Sequence, residues 1–309
     1  SCSAGACCDE APWAGNPSGH ASMEICAVTE MLTHLTCPAP AKLNLFLHVT
    51  GRRADGYHLL QTVFRFIDFA DTLHFGLRTD AEIRHLNPLP GVPADSDLTV
   101  RAARLLQAET GCSFGVDIRI DKHLPMGGGL GGGSSDAATT LIALNRMWQL
   151  GLSRERLQQL GLSLGADVPV FVFGRNAFAE GVGEALTHVN VPSPWYVVLM
   201  PQVEVPTAKI FAAEALTRNT LPIRMAAFPD VLTRNDLQPV VCEMFPQVQQ
   251  SINWLSQFAE AKMTGSGACV FAEFDSQQSA QSVLESAPAE FKGVVARGLD
   301  QHPMLAWLS

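Results

Sequence analysis

Residues 125–138 have the sequence PMGGGLGGGSSDAA, with six glycines between positions 127 and 133 and Leu130 as the single interruption. The residues that follow, ATTLIALNRMWQL, have the composition of a helix. Glycine loses about 0.5–1 kcal/mol of conformational entropy per position on folding, so a run this dense needs a compensating role. Glycines before a helix let backbone N–H groups approach an anion, and the helix N-terminus adds a favourable dipole. The stretch therefore predicts a phosphate-binding loop.

Three kinds of phosphate-binding loop compete for this stretch. A P-loop needs a lysine directly after its glycines, and none follows here. A dinucleotide-binding fingerprint is matched literally by Gly127, Gly129 and Gly132, but that loop opens directly after a strand, and Lys122 to Met126 intervene. The third kind, a glycine and serine loop that precedes a helix in a small-molecule kinase, fits best.

The composition is that of a well-packed globular protein. The chain has 309 residues, 47% of them hydrophobic and 17% charged, which suits two domains or one large one. The formal net charge is −9 and no lysine and arginine cluster is present, which argues against a nucleic-acid or anionic-membrane partner. No apolar run approaches the roughly 20 residues of a membrane-spanning helix.

Cysteine and histidine spacing indicates neither a zinc site nor a disulfide framework. Five of the eight cysteines lie in the first 37 residues, and no C-x-x-C, H-x-x-x-H or H-E-x-x-H pattern occurs. We therefore expect a cytoplasmic protein. Residues 1–36 are small, polar and turn-rich, without the basic and apolar regions of a secretory signal. They are expected to form a flexible N-terminal arm, for which metal binding by the cysteines stays open.

Alternation from Pro40 onward predicts a half-buried strand. Aliphatic side chains from Leu43 to Val49 share one face of PAKLNLFLHV, while Lys42 and Asn44 lie on the other. GRRADGYH then predicts a turn, and LLQTVFRFIDF, DTLHFGL and GVDIRIDKHLP predict three further strands. LTVRAARLLQAET predicts a helix that ends at Gly111.

The rest of the chain predicts further helices and strands. A helix is expected over about 134–149, and SRERLQQLGLSLG predicts another with Ser153 as its N-cap. ADVPVFVFG and AFAEGVGEAL predict two short strands or turns. The strand YVVLMP would open a second domain, with helices near 207–217 and 243–259. MTGSGACVFAEF predicts a loop leading into a strand, SQQSAQSVLES a helix and FKGVVARGL a last strand.

Five ordered stretches resemble the GHMP kinases, the superfamily of galactokinase, homoserine kinase and mevalonate kinase. They are PAKLNLFLHVTGRRADGYHLLQTV, PMGGGLGGGSSDAA, LGADVPVFV, AFAEGVGE and MTGSGACVFAEF. Together they resemble the branch of the superfamily that acts in the non-mevalonate (MEP) pathway to isoprenoid precursors. The resemblance runs from about Pro38 to the C-terminus and leaves only the arm uncovered.

The resemblance implies an α+β fold with two domains. Residues 37–178 would form the ATP-binding and catalytic domain, similar to domain 2 of ribosomal protein S5. Residues 179–309 would form a substrate-binding domain similar to an α/β plait. A monomer or a weak homodimer is expected, with small-molecule partners and no nucleic acid or membrane.

The implied reaction moves the γ-phosphoryl group of ATP to the 2-hydroxyl of the methylerythritol part of a cytidine diphosphate. Magnesium would bridge and neutralise the phosphates. Its ligands are not identified: Ser134, Ser135 and Asp167 are candidates, and no glutamate is found for this role.

The resemblance assigns catalysis to Asp167 and Lys42. Asp167, in LGADVPVF, would take the hydroxyl proton as a base, and Lys42 would stabilise the developing negative charge. Each residue alone also has a purely structural explanation, since an aspartate can cap a turn before Pro169 and a strand lysine is often merely solvated.

The substrate-binding residues are implied in the same way. Tyr57 and His58 match positions that hold cytosine, through ring stacking and through hydrogen bonds to the edge of the base. Phe211 would supply a second ring, although it also suits a core position on a helix. The other implied substrate-binding residues are Asn44, Thr207, Gly265, Ser266 and Gly267.

ATP binding is assigned to the glycine loop and to a few residues near it. The loop residues are Pro125, Met126, Gly127, Gly128, Gly129, Leu130, Gly131, Gly132, Gly133, Ser134 and Ser135. Lys122, Leu98 and Asp97 would lie near the nucleoside. The family often has asparagine where this chain has Asp97. An acid there can accept a hydrogen bond from the adenine amino group but cannot donate one.

Three other functions stay open. A nicotinamide-dependent oxidoreductase would hold a dinucleotide in the glycine loop, and an interaction protein on the same fold would show no turnover. Another GHMP kinase would act on a different alcohol, but DGYH and the strand before it favour the cytidine substrate. A serine hydrolase is disfavoured because no G-x-S-x-G motif occurs.

Overall fold

The computed structural model describes residues 32–228 and 233–308, and within them lie ten strands and eight α-helices. The strands are β1 His34–Arg52, β2 His58–Arg78, β3 Ile83–His85, β4 Gly115–Asp121, β5 Ala177–Glu180, β6 Ala185–His188, β7 Trp195–Leu199, β8 Lys262–Met263, β9 Val270–Phe274 and β10 Gly293–Leu299. The helices are α1 Leu98–Thr110, α2 Gly132–Met147, α3 Arg154–Leu164, α4 Val168–Phe173, α5 Thr207–Ala212, α6 Gln238–Met244, α7 Pro246–Leu255 and α8 Gln277–Glu285. Most of the predicted arm, residues 1–31, lies outside the described residues, and β1 begins within its last part.

The sheet is built on β2. β1 runs antiparallel along one edge of β2, and β5, β10 and β4 pair antiparallel with the other edge. The sequence predicts two strands here, divided near Ala70, whereas the structure has one. Asp71 explains the difference: it is buried, and its carboxylate accepts from the backbone N–H groups of His123 and Leu124. The buried carboxylate thus has hydrogen-bond donors within the fold, so the strand continues through Asp71 without a turn.

The sheet continues into the C-terminal half through β10. This strand pairs with β2 at Ile67 and Phe66 and with β7 along its other edge, and β9 and β8 follow. All these pairings are antiparallel, and β3 with β4 is the one parallel pair of strands in the described residues. The dinucleotide-binding alternative requires a parallel β–α–β unit around its glycines, and the described part of the sheet contains none there.

β1 is buried on both faces and not half-buried as its alternation predicts. Every residue from Ala39 to Val49 is buried, and the pairing with β2 shifts register between Asn44 and Leu47. The polar face of β1 is covered by the C-terminal half: the backbone N–H of Asn44 donates to Oγ1 of Thr264 over 2.9 Å. The lysine and amide of this face are thus enclosed by protein.

The segment VPVFVF forms the helix α4, where the sequence predicts a strand or turn. Pro169 lies in its first turn, a position that proline tolerates because the first N–H groups of a helix have no intrahelical partner. The residues from Val168 to Val172 are all buried against neighbouring helices. Tertiary packing therefore overrides the strand preference of valine here.

The other predicted helices of the first half are confirmed. α1 ends at Gly111, whose φ of 67° is left-handed, and the Ser153 hydroxyl caps α3 by accepting from the N–H of Arg156. α2 begins at Gly132, two residues before the predicted start. In the second half, α8 and β10 are confirmed, while the two predicted helices near 207–217 and 243–259 are found as the shorter α5, α6 and α7.

Three apolar clusters hold these elements together. The first lies between the sheet and α1–α4, and the second joins α5–α8 to β7 and β9. The third includes apolar side chains of β1 and Leu130 of the glycine loop. The first cluster also includes Met304, Leu305 and Leu308 from the C-terminal end. The described residues, 32–228 and 233–308, belong to one compact unit, and a domain boundary at residue 178 stays a prediction. No helix in the described residues is long and apolar enough to span a membrane.

Candidate active site

Two cavities meet between the glycine loop and the turn that precedes β9. The first, which we call the loop cavity, has a volume of about 390 Å³ and is lined by the glycine loop, the start of α1 and Lys122. The second, the strand cavity, has a volume of about 310 Å³ and is lined by the polar face of β1, by β2 and by Phe211. The residues that line both are Gly129, Ser134, Asp167, Thr207 and Ser266.

The glycine loop has the conformation that its composition predicts. Gly127, Gly129 and Gly131 have φ values of 66°, 77° and 73°, in the left-handed region that glycine adopts without strain. Packing also leaves no room for a side chain at position 129, because a Cβ there would lie 2.2 Å from the carbonyl oxygen of Thr264. Gly131 is the N-cap of α2, so the loop leads directly into the positive end of a 16-residue helix.

Most of the predicted ATP-binding residues of the loop line the loop cavity. They are Pro125, Met126, Gly127, Gly128, Gly129, Gly131, Gly132, Gly133 and Ser134. Leu130 is buried in the third apolar cluster instead, and its carbonyl oxygen accepts from the N–H of Lys42. Ser135 is fully buried and its hydroxyl donates to the carbonyl oxygen of Pro40 over 2.7 Å. Neither Leu130 nor Ser135 lines the cavity. Of the two serine hydroxyls, that of Ser134 is therefore the one that can contact a ligand there.

Lys42 and Asp167 form an ion pair where the two cavities meet. Nζ of Lys42 lies 3.2 Å from Oδ2 of Asp167. It also donates to Oδ1 of Asn44 over 2.5 Å and to the carbonyl oxygen of Gly129 over 3.0 Å. The ammonium group is therefore fully engaged and fixed in place. Asp167 precedes α4 but makes no side-chain capping bond, so the capping explanation of this residue is wrong.

Asn44 is part of the scaffold around Lys42. Its Nδ2 donates to Oγ1 of Thr62 over 2.9 Å, while its Oδ1 receives Lys42. Thr264 binds from the other side, since its hydroxyl accepts from the N–H of Asn44 and donates to the carbonyl oxygen of Gly129. These bonds connect the first strand, the glycine loop and the C-terminal half at one point.

Lys122 lies between two buried carboxylates. Its Nζ is 2.6 Å from Oδ2 of Asp71 and 2.6 Å from Oδ2 of Asp136. The pKa of Asp136 is raised to about 7, chiefly by burial, with Lys122 lowering it and Asp71 raising it further. Oδ1 of Asp136 is buried without a hydrogen-bond partner among the described residues. Lys122 and Asp136 both line the loop cavity, so the charge of this trio acts on whatever binds there.

Asp97 lines the loop cavity but serves mainly as the N-cap of α1. Its Oδ1 accepts from the N–H and the hydroxyl of Thr99, and its Oδ2 lies 2.8 Å from Nδ1 of His85. Burial raises the pKa of Asp97, but the hydrogen bonds from His85 and Thr99 outweigh it and lower the pKa to about 2. The carboxylate is thus occupied by protein donors, and apolar residues such as Leu98 form the rest of this wall.

Two of the predicted pyrimidine-binding residues, His58 and Phe211, lie side by side next to the strand cavity. The rings of His58 and Phe211 are 4.9 Å apart, with 32° between their planes. Phe211 lines the cavity, whereas Tyr57 and His58 do not, and Tyr57 is 65% exposed at the tip of the β1–β2 turn. The hydroxyls of Thr207 and Ser266 hydrogen-bond over 2.7 Å across the mouth.

The turn from Gly265 to Gly267 packs directly against the glycine loop, since a Cβ on Gly265 would lie 3.0 Å from the carbonyl oxygen of Gly129. Gly265 and Ser266 line the strand cavity, and Gly267 lies behind them. Nδ2 of Asn235 donates to the carbonyl oxygens of Met263 and Gly265, each over 2.8 Å, and so fixes the turn. Within the described residues, no group of three or more histidine, cysteine, aspartate or glutamate side chains could hold a metal ion.

Sequence reasoning missed several residues that shape this site. They are Thr62, Asp71, Asp136, Arg218, Asn235 and Thr264. Asp136 could have been noticed because an acid inside a glycine-rich phosphate loop is out of place. The others carry no local signal, because their partners come from distant parts of the chain.

The arrangement joins three chemical capacities in one cleft. The helix N-terminus and the loop amides can bind an anionic group, Asp167 can accept a proton, and Lys42 can stabilise negative charge beside it. Because Asp167 lines both cavities, a group bound in one can react with a group bound in the other at this carboxylate.

The chain is similar to known GHMP kinases over most of its length. The family model described as "GHMP kinases N terminal domain" matches residues 97–175, and the one described as "GHMP kinases C terminal" matches residues 212–293. A 4-diphosphocytidyl-2-C-methyl-D-erythritol kinase of Aromatoleum aromaticum is 59% identical over 281 residues, which cover 91% of this chain and 99% of that protein. One of Thiobacillus denitrificans is 63% identical over 267 residues, covering 86% and 96%.

Solved structures give the same result. A crystal structure of 4-(cytidine 5'-diphospho)-2C-methyl-D-erythritol kinase is 31% identical, with a TM-score of 0.75, and the match covers 85% of this chain and 99% of that one. A Methanococcus jannaschii mevalonate kinase, 15% identical, has a TM-score of 0.61 over 86% of this chain and 98% of its own. At that identity the likeness concerns the fold alone.

Proposed function

The chain belongs to the 4-diphosphocytidyl-2-C-methyl-D-erythritol kinases of the GHMP kinase superfamily, and we propose that it performs their reaction at the junction of the loop and strand cavities. It is an ATP-dependent kinase that phosphorylates the 2-hydroxyl of 4-diphosphocytidyl-2-C-methyl-D-erythritol in the MEP pathway to isoprenoid precursors. The α+β GHMP kinase fold expected from the sequence is confirmed. The observation that carries the choice of site is the Lys42–Asp167 ion pair, whose carboxylate lies on the wall shared by the two cavities.

In the proposed mechanism the acceptor hydroxyl lies against Asp167. Its oxygen forms a bond to the γ-phosphorus of ATP as the bond from that phosphorus to the β–γ bridging oxygen breaks, and ADP leaves. Asp167 takes the hydroxyl proton, and Lys42 stabilises the negative charge near the reacting oxygens. For this, Lys42 exchanges one of its three protein contacts for a phosphate or alkoxide oxygen.

ATP is proposed to occupy the loop cavity. The loop from Gly127 to Ser134 and the start of α2 would hold the phosphates, since backbone N–H groups and the helix dipole both favour an anion. Leu98, Met126 and the stem of Lys122 would contact the nucleoside. The engaged carboxylate of Asp97 supports a role in shaping this wall rather than a direct bond to adenine.

The cytidine substrate is proposed to occupy the strand cavity. Its methylerythritol end would reach Asp167, with Asn44 and the turn from Gly265 to Gly267 as its walls. Its cytosine would lie at the far side, beside the His58 and Phe211 rings. The exposed ring of Tyr57 has room to cover the base, which agrees with the predicted stacking role.

Magnesium is proposed to enter with ATP and to neutralise phosphate charge in the reaction. The lining suits this, because Mg²⁺ is commonly bound by substrate phosphates with one or two protein oxygens and water. Ser134 and Asp167 offer such oxygens on the shared wall, whereas the hydroxyl of Ser135 is engaged with Pro40. A cytoplasmic location and a monomer or weak homodimer also remain proposals.

The test is a coupled ADP-release assay with ATP and Mg²⁺. Four acceptors are compared: 4-diphosphocytidyl-2-C-methyl-D-erythritol, mevalonate, homoserine and galactose. Turnover with the cytidine compound alone is expected. Turnover with only another alcohol would support the kinase reaction and contradict the proposed cytosine site. No turnover with any of the four acceptors would contradict the whole proposal.

A further inference from the structure

Arg218, in the loop after α5, holds both walls of the proposed cytosine site. Its Nε–H donates to Nε2 of His58 over 3.2 Å. Its Nη2 donates to the carbonyl oxygens of Phe211 and Ala213 over 3.0 and 2.6 Å, and its Nη1 to that of Leu216 over 3.1 Å. The half-buried guanidinium therefore joins the start of β2 to the end of α5.

These contacts determine which nitrogen of His58 carries the proton. A guanidinium donates hydrogen bonds and accepts none, so Nε2 of His58 must accept and carry no hydrogen. The single N–H of a neutral imidazole is then on Nδ1. The doubly protonated ring is disfavoured as well, because the pKa of His58 is lowered by burial and then by the charges of Arg218 and Arg52.

A donor at Nδ1 distinguishes the two common pyrimidines. Cytosine has an unprotonated N3, a hydrogen-bond acceptor, on the edge that proteins recognise. Uracil carries N3–H, a donor, at the same place. His58 with its proton on Nδ1 complements cytosine and sets two donors against each other with uracil, which costs more than the loss of one ordinary hydrogen bond.

We propose that Arg218 is a positioning residue that selects cytosine over uracil, by fixing the proton of His58 on Nδ1 and by holding Phe211 beside that ring. The inference rests on the proposed function, in which His58 and Phe211 contact the cytosine. It is carried by the hydrogen bonds of Arg218 to both residues and by the 4.9 Å separation of their rings. Within residues 32–228 and 233–308, the hydrogen bond of the His58 ring is the one that Arg218 donates to its Nε2, so the N–H at Nδ1 is available to a ligand.

The kinetic test compares wild type with Arg218→Met on the cytidine substrate and on its uridine analogue. Methionine keeps an apolar stem and removes every donor. The KM for the cytidine substrate should rise about tenfold or more, and the preference for cytidine in kcat/KM should fall by about the same factor. The KM for ATP should stay within about twofold. Arg224→Met, at an exposed arginine of the same loop, is the matched control and should change neither.

The position of the proton is measured directly by ¹⁵N NMR of protein labelled at histidine. The two tautomers differ in their ¹⁵N shifts, and His58→Asn identifies the signal of His58. Wild type should show Nδ1–H, and Arg218→Lys, which keeps a cation without acceptors, should retain that tautomer and part of the cytidine preference. An Nε2–H signal in wild type would overturn the inference, and this result does not depend on the folding of any Arg218 variant.

The inference and the proposed function fail in different ways. If His58→Asn raises the KM for the cytidine substrate but Arg218→Met impairs both pyrimidine substrates equally, Arg218 has a structural role alone. If His58→Asn leaves that KM unchanged while wild type turns the substrate over, the proposed cytosine site is wrong, and the role of Arg218 in selection falls with it.

Discussion

Nζ of Lys42 lies 3.2 Å from Oδ2 of Asp167, although one residue belongs to the first strand and the other precedes α4. The side chain of Lys42 is 3% exposed and that of Asp167 is 34% exposed. The Lys42 end of the ion pair is therefore buried, and the Asp167 end is accessible from the cavities. If Asp167 is replaced by asparagine, Lys42 keeps its hydrogen bonds to Asn44 and Gly129 and gains an amide oxygen in place of the carboxylate oxygen. This position therefore suits a substitution that tests chemistry and not folding.

Asp167→Asn is expected to lower kcat by about 10²–10⁴-fold, since the amide keeps the shape and an oxygen for Lys42 but cannot accept the proton. The Kd for ATP should change little, because the loop and helix that hold the phosphates are untouched. Steady-state kinetics and calorimetric titration with ATP measure the two effects. Asp275→Asn, on an exposed turn, is the control, and a kcat of Asp167→Asn within about tenfold of wild type would remove this residue from the role of base.

Ser134 and Ser135 should respond differently to alanine although they are neighbours. Ser134→Ala removes a hydroxyl that lines both cavities and should lower kcat/KM for ATP with little effect on stability. Ser135→Ala leaves the carbonyl oxygen of Pro40 without its donor and should cost about 1 kcal/mol of unfolding free energy. Urea denaturation and kinetics of both variants check this, and a reversed pattern would show that the serines are misassigned.

Gly129→Ala should lower the free energy of unfolding by about 2 kcal/mol or more and abolish most of the activity. The new Cβ would lie 2.2 Å from the carbonyl oxygen of Thr264, and the φ of 77° disfavours any side chain. Gly133→Ala is the matched control in the same run, because its Cβ would meet only Leu98 at an ordinary 3.5 Å inside a helix. That variant should be as stable as wild type or more so in urea denaturation. Equal losses in both would contradict the close approach at Gly129.

Asp136→Asn should raise the melting temperature at pH 8 by about 2 °C or more, with a smaller gain at pH 5. Burial raises the pKa of Asp136 to about 7, so between the ordinary aspartate pKa and pH 7 the folded protein binds more protons than the unfolded chain. Its stability therefore falls as the pH rises through that window. Asparagine removes this loss and still offers an oxygen to Lys122.

Scanning calorimetry of wild type, Asp136→Asn and Asp275→Asn at both pH values measures this difference. A gain at pH 5 as large as the gain at pH 8 would indicate that the carboxylate is not destabilised by burial.

The parts of the site that follow from the sequence are those coded within a few neighbouring residues. The glycine loop, the cap by Ser153 and the end of α1 at Gly111 depend on backbone conformations that few residues adopt, so their spacing is informative. The role of Asp167 as the base is a prediction that comes from the family resemblance and not from a local pattern.

The remainder depends on contacts between distant residues. VPVFVF is a helix because all its sides are buried, and a local pattern of valines cannot report that. The hydroxyl of Ser135 donates to the carbonyl oxygen of Pro40, a partner far away in the sequence. The contact of Arg218 with His58 joins a loop of the second half of the chain to the start of β2, and no local sequence pattern near either residue predicts it.

The C-terminal residues complete the first apolar cluster. Met304, Leu305 and Leu308 pack into it, Nδ2 of Asn176 donates to the carbonyl oxygen of Leu299, and β10 forms part of the edge of β2. During synthesis on the ribosome, the half of the protein that carries Lys42 and Asp167 therefore cannot reach its final packing when it has emerged. It waits for the last residues of the chain, so a ribosome that stops before β10 releases a protein without a finished catalytic half.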